Sequence, residues 1–194
     1  MPSPFLYFAG QRLSEAELTA ACLDGHLVPI GDAFLPADAV ETPALRAGSL
    51  RPLLGGALAA AGLSAAWIHG GIAFPPPRHS AQRVSPRRLH AIVDRRLEYH
   101  DRRLPAADAE RLGGVWVTTR VRTLADLARR ADPRHRDAAR MLVLAGLVTP
   151  GAAIAWLEAA GPLPHKRTGL AFLSGLTALE PVGLERSPEP FSPT

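Results

Sequence analysis

In the middle of the chain the apolar pattern switches from one period to another within a few residues. After the turn-forming pair Gly113-Gly114, Val115-Trp116-Val117-Thr118 is an unbroken β-branched and aromatic run, the mark of a strand. From Val121 onward the apolar positions are Val121, Leu124, Leu127 and Ala128, which is helical spacing, and Thr118 or Thr119 stands where a side chain can cap the helix start. The same spacing sets Arg122 and Asp126 one turn apart as a modest surface pair. It also places Arg129-Arg130 by the carbonyl end, where positive charge is favoured. A core strand feeding a core helix is expected here, and no catalytic group is implied.

The remaining segments are placed around this unit. Residues 1–12 lack a pattern and are expected to form a loose arm. Ser14-Glu15-Ala16-Glu17 has the form of a capping box, and Leu13, Leu18, Ala21 and Cys22 share one helical face up to Gly25. Two short apolar runs, His26 to Ile30 and Ala33 to Pro36, flank Gly31-Asp32 and predict a hairpin. Thr42-Pro43 starts a helix over residues 43–50, which Gly55-Gly56 interrupts before the Ala-rich stretch 57–61. Ser64 is expected to cap a helix carrying Trp67 and Ile68 into the core and ending at Gly70-Gly71. His69 has no second catalytic side chain within its motif, and a hydrogen-bonded structural role is expected for it.

Beyond the stiff Phe74-Pro75-Pro76-Pro77 connection, Gln82 to Ser85 and Leu97 to His100 predict short strands. Alternation puts Arg96, Glu98 and His100 on one face and Leu97 and Tyr99 on the other, and Leu104 to Asp108 is expected to be a loop. A helix is predicted over 134–148, with Ala138, Met141, Leu142, Ala145 and Leu147 mostly buried. Another starts at Thr149-Pro150 with Ile154, Trp156 and Leu157 as its apolar set, and a weaker one covers 166–179. The fold class expected is α+β: three strands in a sheet, helices on one side of it. Its divisions are a truncated helix-plus-wing element over 1–40, an α/β domain over 41–180 and a disordered tail over 181–194.

Composition narrows the function classes. The 194 residues are 47% apolar, enough for a real core. A single cysteine, Cys22, excludes an internal disulfide framework, and a reducing cytoplasm is the expected setting. The start of the chain lacks a signal-peptide pattern, and the apolar run from Pro52 to Pro77 is mostly Gly and Ala, carries Ser64 and His69 and closes on three prolines. It predicts buried helix and loop, with no membrane partner. The seven histidines are scattered, and no paired carboxylates, nucleophile elbow, phosphate loop or metal set is seen. A non-enzymatic protein with no cofactor and no metal is expected.

The formal charge of +4 conceals an asymmetry: residues 1–77 carry −3, residues 78–140 carry +8 and residues 141–194 carry −1. So basic a centre predicts an anionic partner, nucleic acid before membrane. Arg83, Arg87, Arg88, Arg95, Arg96, Arg102 and Arg103 are the candidate DNA-binding residues, since forked, permanently charged donors suit phosphate. The bland alternative, weighed equally, is that arginine in an Ala/Pro/Gly-rich chain merely solvates a surface. The first predicted helix offers Glu15, Glu17, Thr19 and Asp24 as its polar positions, which argues against that helix approaching DNA.

The order of these pieces resembles the AbiEi family of antitoxins from bacterial type IV (abortive-infection) toxin–antitoxin systems. Four stretches carry the resemblance: the helix and wing ending Asp32-Ala33-Phe34-Leu35-Pro36; Leu63-Ser64-Ala65-Ala66-Trp67-Ile68-His69-Gly70; Leu97 to Pro105 with Asp108; and Gly114 through Ala128. A helix ending Ala145-Gly146-Leu147-Val148-Thr149 also fits. The resemblance covers roughly residues 13–160, with a shortened N-terminal winged helix. It implies a DNA-binding regulator of transcription that represses its own operon and counteracts, or is co-regulated with, a nucleotidyltransferase toxin. The expected partners are therefore DNA and that toxin, with the protein itself a monomer or weak dimer. The alternative is a protein-interaction module of the same family that has lost DNA recognition.

Overall fold

A computed structural model of the chain describes residues 4–89 and 94–179. The expected disordered tail, residues 181–194, lies outside the described residues. Helix α1 (Glu15–Leu23) begins at the predicted capping box: the Ser14 hydroxyl accepts from the Glu17 amide, and the Glu17 carboxylate accepts from the Ser14 amide at 2.7 Å. The antiparallel hairpin β1 (Leu27–Ile30) and β2 (Ala33–Pro36) follows, closed by Gly31-Asp32. The arm before α1 is not loose. Tyr7 exchanges two backbone hydrogen bonds of 2.9 Å with Phe34 of β2, and Phe8 is buried. Both bonds are local to the backbone, so no side-chain periodicity announces them.

Helices α2 (Pro43–Ser49, capped by Thr42) and α3 (Arg51–Leu54) lead to β3 (Leu58–Ala60), helix α4 (Gly62–Ile68) and β4 (His79–Arg83). Then come β5 (Leu97–Arg103), a 3-10 turn at Ala106–Asp108, β6 (Ala109–Leu112), β7 (Val115–Thr118) and α5 (Arg120–Ala128). Helices α6 (Pro133–Leu144), α7 (Pro150–Ala159) and α8 (Lys166–Leu176) complete the described fold. The class is α+β, as expected. The sheet, however, has five strands in the order β5-β4-β3-β7-β6 where three were expected. Strand β3 hides in a run of small residues buried on both sides, and β6 has no clean alternation, so neither shows the period-two signal. Strand β4 starts three residues earlier than predicted.

Register fixes the two faces. Ala60 is opposite both Ala81 and Val117, and Ala81 is opposite Tyr99, so these residues with Leu58, Leu97 and Val115 share one face. That face packs on Leu50, Leu53, Leu54, Trp67 and Ile68, and on Phe8, Ile30 and Leu35 of the arm and hairpin. The N-terminal element and the sheet thus share one core. A second core lies among α4 to α8, with Ala66, Leu124, Leu127, Leu142, Leu157 and Leu173 at its centre. Since Arg122 of α5 reaches Gln82 on the opposite face, helical side chains meet both faces rather than one.

Three further expectations are corrected. Ser64 does not cap α4, whose N-cap is Ala61; the buried Ser64 hydroxyl instead accepts from the Ser80 amide at 3.0 Å and meets His79 Nδ1 at 3.1 Å, tying α4 to β4. Helix α6 ends at Leu144, and Met141 is 50% exposed. Ala145 is exposed as well. Among the described residues no helix is long and apolar enough to cross a membrane.

The β6–β7 turn separates two kinds of glycine constraint. Gly113 and Gly114 have φ of +55° and +83°, which suits a tight hairpin turn. A Cβ on Gly113 would fall 2.0 Å from the Ala44 carbonyl oxygen of α2, whereas one on Gly114 meets nothing within 4 Å. Gly114→Ala is expected to lower stability by about 1 kcal/mol, the left-handed backbone cost alone. Gly113→Ala adds a backbone clash and should cost about 3 kcal/mol or more. Urea denaturation of the two variants side by side checks the ordering, and equal losses would refute it.

Candidate nucleic-acid interface

The expected surface pair of Arg122 and Asp126 is in fact the centre of a buried network. Arg122 is 5% exposed. Its Nη1 donates to Asp108 Oδ2 at 2.7 Å, its Nε to Asp126 Oδ2 at 2.8 Å, and its Nη2 lies 3.5 Å from Gln82 Oε1. The guanidinium stacks 4.9 Å from the Trp156 ring, and Trp156 Nε1 donates to Asp108 Oδ1 at 2.8 Å. Asp126 Oδ1 is taken by Arg129, whose Nη1 continues to the Pro164 carbonyl. One cation thereby joins the 3-10 turn, β4, α5 and α7. Helical spacing revealed the pairing of Arg122 with Asp126 but not the third partner, Asp108, which comes from a loop and turns a surface pair into a desolvated one.

The seven candidate arginines flank β5, an edge strand. Arg95 and Arg96 precede it, Arg102 and Arg103 end it, and Arg87 and Arg88 follow β4. Arg88 returns to within 3.4 Å of Asp101 on β5. Arg87, Arg95, Arg102 and Arg103 are exposed, and among the described residues none meets a carboxylate. Arg88 is also exposed, with its side chain 85% accessible. Two more of the seven are engaged, each by several acceptors. Arg83 is 7% exposed, and its guanidinium donates to Asp101 Oδ1 and to the carbonyl oxygens of Ser85, Pro86 and Asp101. Arg83 therefore holds the β4–β5 end together, with four of its five N–H donors turned inward. Arg96 is paired with Asp94 and, at 2.9 Å, with Asp32 of the hairpin turn. The Arg96 guanidinium keeps the Asp94 carboxyl below the usual range, and Tyr99 first and then Arg83 do the same for Asp101.

Behind this edge, on the face opposite the first core, lies a polar cleft of about 210 Å³. Ser80 and Gln82 of β4, Glu98, His100 and Arg102 of β5, and Arg122, Asp126, Arg129, Arg130 and His135 from the helical side line it. Continuing the predicted alternation by two residues places Arg102 beside Glu98 and His100. The sequence marked Arg130 only as a cation at the carbonyl end of its helix and His135 not at all; both arrive through the α5–α6 turn. Among the described residues there is no group of three or more His, Cys, Asp or Glu suited to a metal.

His69 is structural, as expected: it is 2% exposed, and its Nε2 donates to the Thr118 carbonyl at 2.8 Å. Burial lowers its pKa most, against smaller raising effects of the Thr118 carbonyl and Glu110; burial likewise lowers that of His79.

No protein-family model matches this sequence, and no curated protein does. Among solved structures the chain is similar to the RV2827C protein from Mycobacterium tuberculosis. The two are 18% identical over 90% of this chain and 72% of the other, with a TM-score of 0.44.

Two outcomes follow from the buried groups. Arg122→Met leaves buried Asp108 without its cation and Asp126 with Arg129 alone, and should lower unfolding free energy by about 3–5 kcal/mol, read as a fall in urea midpoint. A loss under about 1 kcal/mol would mean the network is dispensable. For the histidines, the folded pKa lies below the unfolded value of about 6.5, so their contribution is complete above that pH and is lost as pH falls. Stability should decline from about pH 6.5 downward by at most about 1.4 kcal/mol per pH unit for each group. His69→Gln should flatten that decline, as urea titrations at a series of pH values will show.

Proposed function

We propose that the protein is a non-enzymatic, antitoxin-like regulator of transcription that acts in the cytoplasm, binds DNA through the arginine edge, and counteracts or is co-regulated with a nucleotidyltransferase toxin. The observation that carries the DNA-binding part is the edge strand itself: five guanidinium groups, Arg87, Arg88, Arg95, Arg102 and Arg103, stand exposed at its two ends and in the loop beside it. A seven-residue strand spans about 20 Å, a length over which a duplex backbone presents several phosphates. Contacts of this kind give affinity and orientation rather than sequence choice.

The AbiEi resemblance supports the regulatory part. Its four stretches map onto α1 with the hairpin, α4, β5 through the 3-10 turn, and β7 with α5. Their residues interlock: Arg122 with Asp108 and Asp126, His69 with Thr118, and Thr119 as the cap of α5. Helix α1 exposes Glu15, Glu17 and Asp24 and no cation, and the DNA-binding surface is accordingly assigned to β5 and not to α1. The same acidic helix favours the second reading, a protein-interaction module: Leu23, 85% exposed at its end, gives α1 an apolar contact beside its carboxylates.

Fluorescence anisotropy with duplex promoter DNA tests the first reading. Binding should weaken with salt, with log K falling against log[salt] at a slope of about −3 to −5 for these five cations. Arg102→Ala/Arg103→Ala should weaken binding about tenfold or more and reduce the slope by about 2. No binding at low salt, or affinity indifferent to salt, would remove DNA as the partner. Co-purification of a nucleotidyltransferase encoded next to the gene, lost on Leu23→Glu while DNA binding is absent, would favour the second.

A further inference from the structure

We propose that the cleft behind β5 is a binding site for a phosphate monoester, sharing only Arg102 with the outer arginine edge. Two of the side chains lining it are almost wholly buried and yet not fully used. Gln82, 5% exposed, makes one side-chain hydrogen bond among the described residues, at 3.5 Å with Arg122, and its amide nitrogen donates to no group among them. Arg122, also 5% exposed, spends Nη1 and Nε on carboxylates but has only that long contact for Nη2. Two incompletely used donors thus reach one cavity, where an acceptor would complete their hydrogen bonds.

The walls define the acceptor's charge. Arg102 from the strand and Arg130 from the end of α5 both line the cleft, and among the described residues neither meets a carboxylate. His100 and His135 line it as well, each beside an acid, Glu98 at 3.5 Å and Asp132 at 2.7 Å. Of the carboxylates lining the cleft, Asp126 has both oxygens occupied by Arg122 and Arg129, which leaves Glu98 as the one acid to be balanced. Two guanidinium groups without a carboxylate partner among the described residues, lining one cleft with Gln82 and Arg122, suit a tetrahedral dianion better than a single carboxylate, because arginine forks engage two oxygens at once. The volume, about 210 Å³, is below the range of sites for whole cofactors and fits a phosphate with little else enclosed. The rest of the ligand, whether the nucleoside of a free nucleotide or the remainder of a 5′-phosphorylated strand, would lie outside.

The test uses the full chain and calorimetric titration with inorganic phosphate, adenosine 5′-monophosphate and adenosine. Phosphate and the monophosphate should bind saturably and adenosine should not. Arg130→Gln, an exposed position whose loss should leave the melting temperature unchanged, should weaken phosphate binding about tenfold, one charge-assisted contact, while Arg95→Gln outside the cleft leaves it unaltered. Absence of saturable phosphate binding, or equal weakening by the two substitutions, overturns the proposal. A short single strand carrying a 5′-phosphate, compared with its 5′-hydroxyl counterpart, identifies the source: tighter binding of the phosphorylated strand assigns the site to a nucleic-acid end, and equal binding assigns it to a free nucleotide. Duplex DNA with 5′-hydroxyl ends carries no phosphate monoester and reads the arginine edge, so failure there and failure here are distinguishable.

Discussion

The burial of Arg122 is the constraint from which the arrangement of this fold follows. A guanidinium almost removed from water must be met by acceptors on nearly every side, and those acceptors come from different parts of the chain: Asp108 ahead of β6, Asp126 one turn along α5 and Gln82 on β4. Trp156 covers its plane from α7 and at the same time holds Asp108 in place. Apolar packing would bring the sheet and the helices together in several relative positions. The charged cluster admits few, because a small slip would leave an unpaired ion in a medium that solvates it poorly.

That constraint also separates two populations of arginine that look alike in the sequence. Arg83 and Arg122 are inside, each bonded to carboxylates and carbonyls or stacked on an aromatic ring, and they act as rivets between strands and helices. Arg87, Arg95, Arg102 and Arg103 are outside. The central excess of positive charge therefore survives folding in part: the internal pairs remove the cations nearest the core, while the ones at the ends of β5 are left facing solvent. Arg96 belongs to neither group, since its salt bridge to Asp32 fastens the hairpin turn to the start of the edge strand.

Much of the fold was legible where a local signal was strong. The capping box of α1, the Thr42, Thr119 and Thr149 caps, the Gly31-Asp32 and Gly113-Gly114 turns and the run into β7 each rest on interactions within a few residues, and each appears as the sequence suggests. Strands β3 and β6 were not legible, because a strand buried on both faces or placed at a margin need not alternate. The arm at Tyr7 was missed for a related reason, since its bonds to Phe34 run through the backbone and involve no side chain. At the site, the outer arginines could be read from charge alone, and Arg102 from alternation. Arg130, His135 and the buried role of Asp108 depend on contacts across long stretches of sequence, which no local pattern encodes.

The position of β5 at the margin of the sheet has one more consequence. A strand with an open side presents a row of amides and carbonyls to which a strand of another molecule can add, and such additions propagate into fibres. Guanidinium groups at both ends of β5 make two copies repel each other as they approach edge to edge. Colloidal stability of the free protein thus depends on the very charges that a polyanion would neutralise, and the repulsion between copies is weakest when those charges are covered.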